Sequence, residues 1–229
     1  MMNERRVILL FVKYPLQGRV KTRLAKTMGA EAAVAIYKRL CERLIQLLRS
    51  LEVDEIRVCF DPPAMQQQTE QWLRPIWQKA GEESDEVCGA RKEPELVFYP
   101  QAAGDLGDRL RAGFTGVFDQ NRAAGNLAVR VVAIGSDCIE MDEETFQAAW
   151  SALQTEEVVF GPTFDGGYYL LGMNELQRSL LDRIPWSTES TLQVSLQKAK
   201  EQNLRVVLLD RKNDIDTEED WRRAEVLMR

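Results

Sequence analysis

The sequence predicts a three-layer α/β fold built on a mostly parallel sheet, in one domain that spans residues 1–229. Continuous apolar segments such as RVILLFV, residues 6–12, are typical of strands buried on both faces of a parallel sheet. Segments with helical spacing of apolar residues separate these strands, which is the pattern of a doubly wound sheet. A chain of 229 residues with 45% hydrophobic content is long enough to bury one medium-sized core.

The predicted strands are short apolar runs bounded by polar or glycine-containing segments. The sixth of them contains the sequence DGGYYLLGM and is expected to run antiparallel to its neighbours. The predicted strands are residues 6–12, 55–60, 95–100, 127–137, 156–162, 165–173 and 204–210.

The predicted helices lie between these strands. In the first helix, apolar residues recur every three or four positions from Val34 to Leu51. Asp142 is the expected N-cap of the fourth helix, and Thr217 is the expected cap of the last. Residues 81–93 are polar and are expected to form a mobile loop. The predicted helices are residues 30–50, 64–80, 104–121, 142–153, 187–202 and 217–228.

The charge composition excludes several classes of function. With 30 Lys and Arg against 36 Asp and Glu, the net charge is −6, which disfavours a general nucleic-acid binder. The chain has no histidine, which excludes Ser-His-Asp catalysis, Cys-His catalysis and His-ligated metal sites. A general base must therefore be Asp, Glu, Lys, Tyr or a metal-bound water.

Cysteine usage and hydropathy predict a cytoplasmic protein that does not bind membranes. Cys41, Cys59, Cys88 and Cys138 are scattered and form no Cys-x-x-Cys motif, so we expect reduced thiols without structural zinc. The run VILLFV is too short for a signal sequence or a membrane span. The aromatic segment WLRPIW, residues 72–77, would allow an oligomer interface if it is exposed.

A basic loop follows the first strand, in the segment KYPLQGRVKTRL. Gly18 allows the backbone to approach a ligand closely, and Lys21 and Arg23 can hold phosphates, with Thr22 between them and Lys13 at the start of the loop. The loop lacks the Gly-x4-Gly-Lys-Ser/Thr pattern of a Walker A motif. Its alternative interpretation is a solvated basic turn.

Aspartates follow two of the predicted strands. Asp137 comes after the central strand, in the segment IGSDC, and Asp214 and Asp216 follow the last strand. In open α/β sheets ligands bind at the carboxyl ends of the strands, and a carboxylate there is a good ligand for a hard cation. Alternatively, Asp137 caps a turn or the next helix.

A glycine pair follows a third aspartate, in GPTFDGGYYLLG. Gly166 and Gly167 permit positive φ and would leave room for a ligand beside Asp165. The alternative is an ordinary hairpin turn, because Asp-Gly is a strong turn signal.

Taken together, these segments resemble a bacterial family of GT-A-type glycosyltransferase-like proteins, described as radical-SAM/selenodomain-associated or arsenosugar-biosynthesis transferases. More distantly the chain resembles phospholactate guanylyltransferase and the molybdenum-cofactor nucleotidyltransferases. The resemblance runs in order along nearly the whole chain. It rests on the stretches FVKYPLQGRVKTRL, GDLGDRL, IGSDC, GPTFDGGYYLLG, WST and DIDTEED.

The resemblance implies the nucleotide-diphospho-sugar transferase fold, with a nucleotide across the carboxyl edge of the sheet. It implies that the basic loop binds the phosphates and that Mg²⁺ or Mn²⁺ binds Asp137 with Asp214 or Asp216. Asp105, Gly107 and Arg109 would border the nucleoside. Gly166, Gly167 and Trp186 would shape the acceptor side, and Asp165 is the candidate base.

Three functions stay open at this point. In the first, a sugar moves from a nucleotide-sugar to a small acceptor, as the family descriptions imply. In the second, a small phosphorylated acceptor attacks the α-phosphorus of a nucleoside triphosphate, which the dense basic loop favours. The third is a non-catalytic nucleotide-binding module, although such a module has no need of carboxylates at its strand ends.

Overall fold

The computed structural model describes residues 4–85, 93–125 and 128–225, with the backbone alone described at 82–85. Its centre is a seven-stranded sheet in the order β3-β2-β1-β4-β6-β5-β7. β6 runs antiparallel to both of its neighbours, as predicted, and the remaining pairs are parallel. The strands are β1 (Arg5–Lys13), β2 (Glu55–Asp61), β3 (Glu95–Pro100), β4 (Val129–Ile134), β5 (Val158–Pro162), β6 (Tyr168–Met173) and β7 (Val206–Leu208).

Helices cover both faces of the sheet, which confirms the predicted three-layer α/β architecture. Alternate residues of the buried strands face opposite layers, so that Ile8 packs with α2, α3 and α5, whereas Leu9 packs with α4 and α6. The helices are α1 (Thr22–Met28), α2 (Ala30–Ser50), α3 (Gln66–Asp85), α4 (Leu106–Ala123), α5 (Glu143–Thr155), α6 (Thr191–Glu201) and α7 (Glu218–Glu225).

A smaller third cluster fixes the elements that carry the site. Leu24 of α1 is buried together with Ile215 and Trp221. Ile215 lies in the last loop, residues 209–217, and Trp221 lies in α7. Ile139, just beyond β4, packs with them. The apolar side chains therefore hold three chain segments, distant in sequence, at one corner of the sheet.

The helix caps follow the prediction. Asp142 caps α5 and accepts a hydrogen bond from the backbone N–H of Thr145. At the start of α7, Thr217 Oγ1 accepts from the backbone N–H of Asp220, and Asp220 accepts from that of Thr217. Both arrangements satisfy N–H groups that a helix leaves unpaired at its first turn.

Several predicted boundaries were wrong. The short helix α1 was not predicted, and α3 continues through Pro75 to Asp85, well into the predicted loop at 81–93. Residues 86–92 and 226–228, which belong to the predicted loop and last helix, lie outside the described residues. α6 begins at Thr191 rather than at residue 187.

The aromatic segment at 72–77 does not form the exposed surface that an oligomer interface would need. Trp77 is only 8% exposed, and Leu73 is fully buried. The ring centroid of Trp72 lies 6.4 Å from that of Tyr14 and 6.3 Å from that of Tyr37. The helical period of α3 places these side chains on its buried face.

Three of the four cysteines lie within the described residues. Cys41, Cys59 and Cys138 are buried and free, and burial raises the pKa of each thiol to about 12. Cys88 lies outside the described residues. Within the described ranges, no helix is both long and apolar enough to cross a membrane.

Candidate functional site

The candidate site lies at the carboxyl ends of the parallel strands. β1 ends at Lys13 and β2 at Asp61, and these two residues are paired in the sheet register. β4 lies on the other side of β1 and leads directly into Gly135, Ser136 and Asp137. Parallel pairing thus brings the basic loop after β1 and the aspartate after β4 to one edge.

Tyr37 of α2 joins the two segments beneath this edge. Its hydroxyl oxygen accepts from the backbone N–H of Lys13 at 2.9 Å and from the Ser136 hydroxyl at 3.2 Å. Burial raises the pKa of Tyr37 well above its ordinary value, so the phenol stays protonated. In the sequence, Tyr37 falls within the apolar stripe predicted from Val34 to Leu51, which hides its second role as a bridge.

Lys21 is the central residue of the site. Its backbone is left-handed, with φ 46°, and its side chain is only 3% exposed. Its Nζ lies 2.6 Å from Asp137 Oδ1 and 3.4 Å from Asp216 Oδ1. Non-glycine residues held in this backbone region carry strain that the surrounding structure must offset.

The last loop is attached to the end of β4 by a backbone hydrogen bond. The N–H of Ile215 donates to the carbonyl oxygen of Asp137 at 3.0 Å. Asn213 donates its backbone N–H and its side-chain amide to the Glu140 carboxylate. These contacts hold Asp214 and Asp216, on either side of Ile215, near Asp137.

Lys21, Asp137, Asp214 and Asp216 form a charged cluster, and their charges act on one another. Burial alone would lower the pKa of Lys21, but the nearby charge of Asp137, with those of Asp216 and Asp214, raises it overall. Burial raises the pKa of Asp214 to about 7, and the charge of Asp137 adds to that effect. The cluster is therefore an ammonium group among carboxylates, one of which is shielded from solvent.

The donor chemistry of this cluster suits a hard cation. Asp137 and Asp216 expose 45% and 40% of their side chains, and both already bind a cation, the Lys21 ammonium. In the present arrangement, the described residues contain no group of three or more His, Cys, Asp or Glu placed to hold a metal ion. A divalent cation would use carboxylate oxygens that the ammonium now occupies.

The other basic residues of the loop lie on the surface. Arg23 is 70% exposed, and its NH1 group lies 3.3 Å from Asp216 Oδ2. Thr22, the first residue of α1, is exposed. Gly18 has φ 73°, and a Cβ atom there would meet no heavy atom within 4 Å beyond its chain neighbours, which leaves this part of the loop open. The Lys13 side chain is exposed at the same edge.

The β5–β6 hairpin brings a further carboxylate to the edge. Asp165 is exposed, and its Oδ1 accepts from the Thr163 hydroxyl and from the backbone N–H of Gly167 at 3.1 Å. Its charge contributes to the raised pKa of Asp214. Asp165 therefore has the contacts of a turn residue as well as access to a ligand.

The expected open space beside Gly166 is absent. Its φ is 90°, and a Cβ atom there would lie 2.1 Å from the carbonyl oxygen of Glu189. The segment before α6 fills this position, so Gly166 allows close backbone packing rather than making room for a ligand. A Cβ on Gly167 would meet Thr163 Oγ1 at 3.1 Å.

Gly107 and Trp186 pack together in the layer of α4 and α6, rather than with Lys21. A Cβ atom on Gly107 would lie 2.5 Å from the Leu181 carbonyl oxygen and 2.7 Å from Trp186 Nε1. Gly107 is buried, so close packing explains the glycine at this position, where the border of a nucleoside was expected. Asp105 forms a capping box with Asp108 at the start of α4.

Arg109 contacts the carboxyl edge of the sheet through Gln101 and Asp61, neither of which was predicted as a site residue. Its NH1 group donates to Gln101 Oε1 at 2.9 Å and lies 3.6 Å from Asp61 Oδ2. Gln101 in turn donates to the carbonyl oxygens of Val12 and Cys59, at the ends of β1 and β2. A polar residue at the carboxyl end of a strand, as Asp61 is in β2 and Gln101 is directly after β3, is the signal that could have identified both.

Sequence comparison finds one family match. Residues 45–188 match the model of a family described as "Uncharacterized protein conserved in bacteria (DUF2064)". The matched segment contains Asp137 and the hairpin with Asp165, and it excludes the basic loop and the last loop. A search of curated proteins gives no match.

Structure comparison identifies the fold. A protein from Desulfovibrio desulfuricans G20, described as a candidate nucleotide-diphospho-sugar transferase, is 30% identical, with a TM-score of 0.77 over 93% of this chain and 82% of that one. A 4-diphosphocytidyl-2C-methyl-D-erythritol synthase from Anaerococcus prevotii DSM 20548 is 12% identical, with a TM-score of 0.60 over 99% and 97%. CMP:2-keto-3-deoxy-manno-octonic acid synthetase, solved with CTP, is 11% identical, with a TM-score of 0.55 over 98% of each chain. The last two show the fold alone.

Proposed function

This chain belongs to the bacterial family DUF2064, and we propose that it is a transferase that moves a glycosyl group from a nucleotide-diphospho-sugar to a small acceptor. The convergence of Lys21, Asp137 and Asp216 at the carboxyl edge carries this proposal. Basic groups that can bind phosphates and carboxylates that can bind a cation meet there, in the fold of the Desulfovibrio transferase. Membership of the radical-SAM- or arsenosugar-associated subfamily is a finer part of the proposal.

The nucleotide would lie across the ends of β1, β2 and β4. Lys13, Gly18, Thr22 and the exposed guanidinium of Arg23 border that edge on one side. Guanidinium and ammonium groups form strong charge-assisted hydrogen bonds with phosphate oxygens. On the other side, Arg109 is held by Gln101 and would lie nearest to the nucleoside.

The bound cation would be Mg²⁺ or Mn²⁺, held by Asp137 with Asp214 or Asp216. When bound, it neutralises the charge that develops on the leaving nucleoside diphosphate. The fit rests on the oxygen donors and on the cation that they already bind, the Lys21 ammonium. The backbone bond from Ile215 to Asp137 keeps the two strand ends together while a ligand exchanges.

The acceptor would bind on the side of the β5–β6 hairpin. Asp165 is exposed there and is our candidate for the base that removes the proton of the acceptor hydroxyl. Gly166 and Gly167 fix the turn that presents this carboxylate. Trp186 packs against Gly107 and lies edge-on to Tyr168 of β6, with ring centroids 6.1 Å apart.

Nucleotidyl transfer is the second candidate, because the basic loop is denser than a diphosphate requires. Lys13, Arg19, Lys21 and Arg23 lie within 11 residues. In this reaction an acceptor phosphate oxygen would form a bond to the α-phosphorus of a nucleoside triphosphate, and the bond to the departing pyrophosphate would break. The same edge would bind both kinds of nucleotide.

One experiment tests the proposal and separates the two reactions. Nucleoside triphosphates and nucleotide-sugars are each screened with Mg²⁺ or Mn²⁺ by thermal shift, since a ligand that binds the native state raises the melting temperature. The best ligands are then incubated with small hydroxyl and phosphate acceptors, and the products are followed by mass spectrometry. Release of nucleoside diphosphate supports glycosyl transfer, and release of pyrophosphate supports nucleotidyl transfer. Binding without turnover of any ligand would support a non-catalytic module instead.

A further inference from the structure

We propose that Lys21 and the divalent cation are alternative occupants of the same carboxylates, so that the ammonium must leave them before the metal binds. This inference rests on the proposed function, and it adds an order of events. Lys21 would neutralise the cluster in the ligand-free protein and would move to the nucleotide phosphates when the metal arrives. The metal and the nucleotide would therefore bind cooperatively.

The contact distances favour exclusive occupancy. Lys21 Nζ lies 2.6 Å from Asp137 Oδ1, so this oxygen already carries a close charge-assisted hydrogen bond. A Mg²⁺ ion binds carboxylate oxygen at about 2.1 Å and accepts near-octahedral geometry only. If a divalent ion and the ammonium shared Asp137 and Asp216, two positive centres would be only a few ångströms apart, where repulsion is strong.

Burial decides which cation holds the cluster in the absence of ligand. The Lys21 side chain is 3% exposed and reaches the carboxylates from within the protein. Asp137 and Asp216 are about half exposed, so a metal ion can reach them from solvent. A metal alone would have to displace a buried ammonium that then has no anionic partner, which is costly.

A nucleotide changes this balance because it offers phosphate oxygens to the displaced ammonium. Lys21 is the residue before α1, and the loop that leads to it is open at Gly18. A modest change at this loop would redirect the side chain from the carboxylates to a ligand. By linkage, nucleotide and metal must then strengthen each other's binding by the same factor.

The test measures Mn²⁺ affinity without nucleotide, by electron paramagnetic resonance of free Mn²⁺, in the wild type and in Lys21→Met. Lys21→Met removes the competing ammonium and keeps a long side chain, so Mn²⁺ should bind at least about tenfold more tightly, within the usual range of coupling factors. Arg23→Met is the matched control, because Arg23 contacts the same Asp216 but is 70% exposed. Its Mn²⁺ affinity should stay within about threefold of the wild type, since exposed charges are well screened.

Equal or weaker Mn²⁺ binding in Lys21→Met than in the wild type would overturn the inference. So would an equal gain in Arg23→Met, which would show a general charge effect rather than competition for one place.

A second measurement uses the wild-type chain and does not depend on the folding of a variant. Lysines are acetylated with acetic anhydride, and labelling is read by peptide mass spectrometry with and without saturating Mn²⁺. Lys21 should be protected without metal and become labelled at least about fivefold faster with Mn²⁺, whereas the exposed Lys26 of the following helix, α1, serves as the reference. If Lys21 stays protected at saturating Mn²⁺, the two cations do not exchange.

Neither measurement uses a nucleotide, so its failure is distinguishable from failure of the proposed function. Turnover of a nucleotide-sugar with unchanged Lys21 protection would remove this inference alone. Exchange of Lys21 for Mn²⁺ without turnover of any nucleotide would leave the cation site and remove the transferase assignment.

Discussion

Ile215 donates its backbone N–H to the carbonyl oxygen of Asp137, and this bond ties the last loop of the chain to the residues that follow β4. Ile215 is 2% exposed and packs beside Leu24, so the connection is protected by the apolar cluster beneath it. Because of it, Asp214 and Asp216 are presented to the basic loop as a pair. The cluster is therefore a product of tertiary packing, with sequence-distant groups brought together.

The first prediction concerns Asp137→Asn. The amide has nearly the same shape but no charge, so the cluster loses the closest partner of Lys21. We expect a loss of about 1–2 kcal/mol in the free energy of unfolding, reduced because Asp137 is 45% exposed. The free energy of metal-dependent nucleotide binding should fall by more than the free energy of unfolding. Titration of Mn²⁺ in the presence of the best nucleotide measures this binding. Equal Mn²⁺ affinity in both proteins would contradict a cation site at Asp137.

The second prediction separates the two basic residues of the loop. Arg23→Ala should change the free energy of unfolding by only about 0–1 kcal/mol, because its ion pair with Asp216 is exposed. Lys21→Ala should cost about 1–3 kcal/mol, because it removes a buried cation from among three carboxylates. Urea denaturation of both variants gives the comparison. A larger loss in Arg23→Ala than in Lys21→Ala would show that burial does not set the strength of these pairs.

The sequence was sufficient for the layers and the order of most elements, because hydrophobic period alone decides which face of each helix and strand is buried. It also predicted Asp137, Asp165 and the basic loop as candidate site residues, since each follows a buried strand. It missed α1, which is too short for a clear helical period.

What the sequence could not show is how space is filled around a residue. Lys21 and Arg23 look alike in the sequence, yet the Lys21 side chain is buried between Asp137 and Asp216, whereas Arg23 reaches Asp216 from the surface. Gly107 lies in a stretch that resembles a nucleotide-binding motif, but the distant Trp186 packs against it. Such facts depend on contacts between segments far apart in the chain, which no local pattern encodes.

The third prediction is a pH dependence that arises at Asp214. Its ordinary pKa of 3.8 is raised to about 7 in the folded protein by burial and then by the charge of Asp137. Between these values the native state binds more protons than the unfolded state, so this group makes stability fall as pH rises from about 4 to about 7. At about 1.4 kcal/mol per pH unit, the loss over that window is at most roughly 4 kcal/mol.

Asp214→Asn should remove this contribution, because the amide does not titrate. The free energy of unfolding is measured by urea denaturation at pH 5 and pH 8 in the presence of EDTA. Its fall from pH 5 to pH 8 should be smaller in the variant than in the wild type. Asp119→Asn, at an exposed carboxylate of α4, is the control and should keep the wild-type pH dependence. An unchanged pH dependence in Asp214→Asn would mean that Asp214 does not titrate in this window.

The fourth prediction tests whether Gly107 is a packing residue. In Gly107→Ala, the new Cβ would clash with the Leu181 carbonyl oxygen, which cannot move without its backbone. We expect a loss of about 1–3 kcal/mol in the free energy of unfolding. Gly116→Ala is the matched control on the same helix, because its Cβ meets only the side-chain NH1 of Arg57 at 3.3 Å, and helix propensity favours alanine. If Gly107→Ala is as stable as the wild type but binds nucleotide more weakly, Gly107 has a binding role and not a packing role.

The fifth prediction concerns Asp165, which has both a structural and a catalytic explanation. Its Oδ1 accepts hydrogen bonds from Gly167 and Thr163, and the side-chain oxygen of asparagine can accept the same two bonds. Asp165→Asn should therefore keep the hairpin and the melting temperature. Only the capacity to take up a proton would be lost, and a general base contributes about 100-fold to 10,000-fold to turnover.

We therefore expect turnover by Asp165→Asn to fall at least about 100-fold with the best donor and acceptor, without weaker donor binding. Asp165→Ala is the comparison, because it loses both hydrogen bonds and should also lose about 1 kcal/mol in the free energy of unfolding. Calorimetry gives donor affinity, and urea denaturation gives stability. If Asp165→Asn turns over at nearly the wild-type rate while Asp165→Ala is destabilised, the carboxylate serves only the turn, and another group must accept the acceptor proton.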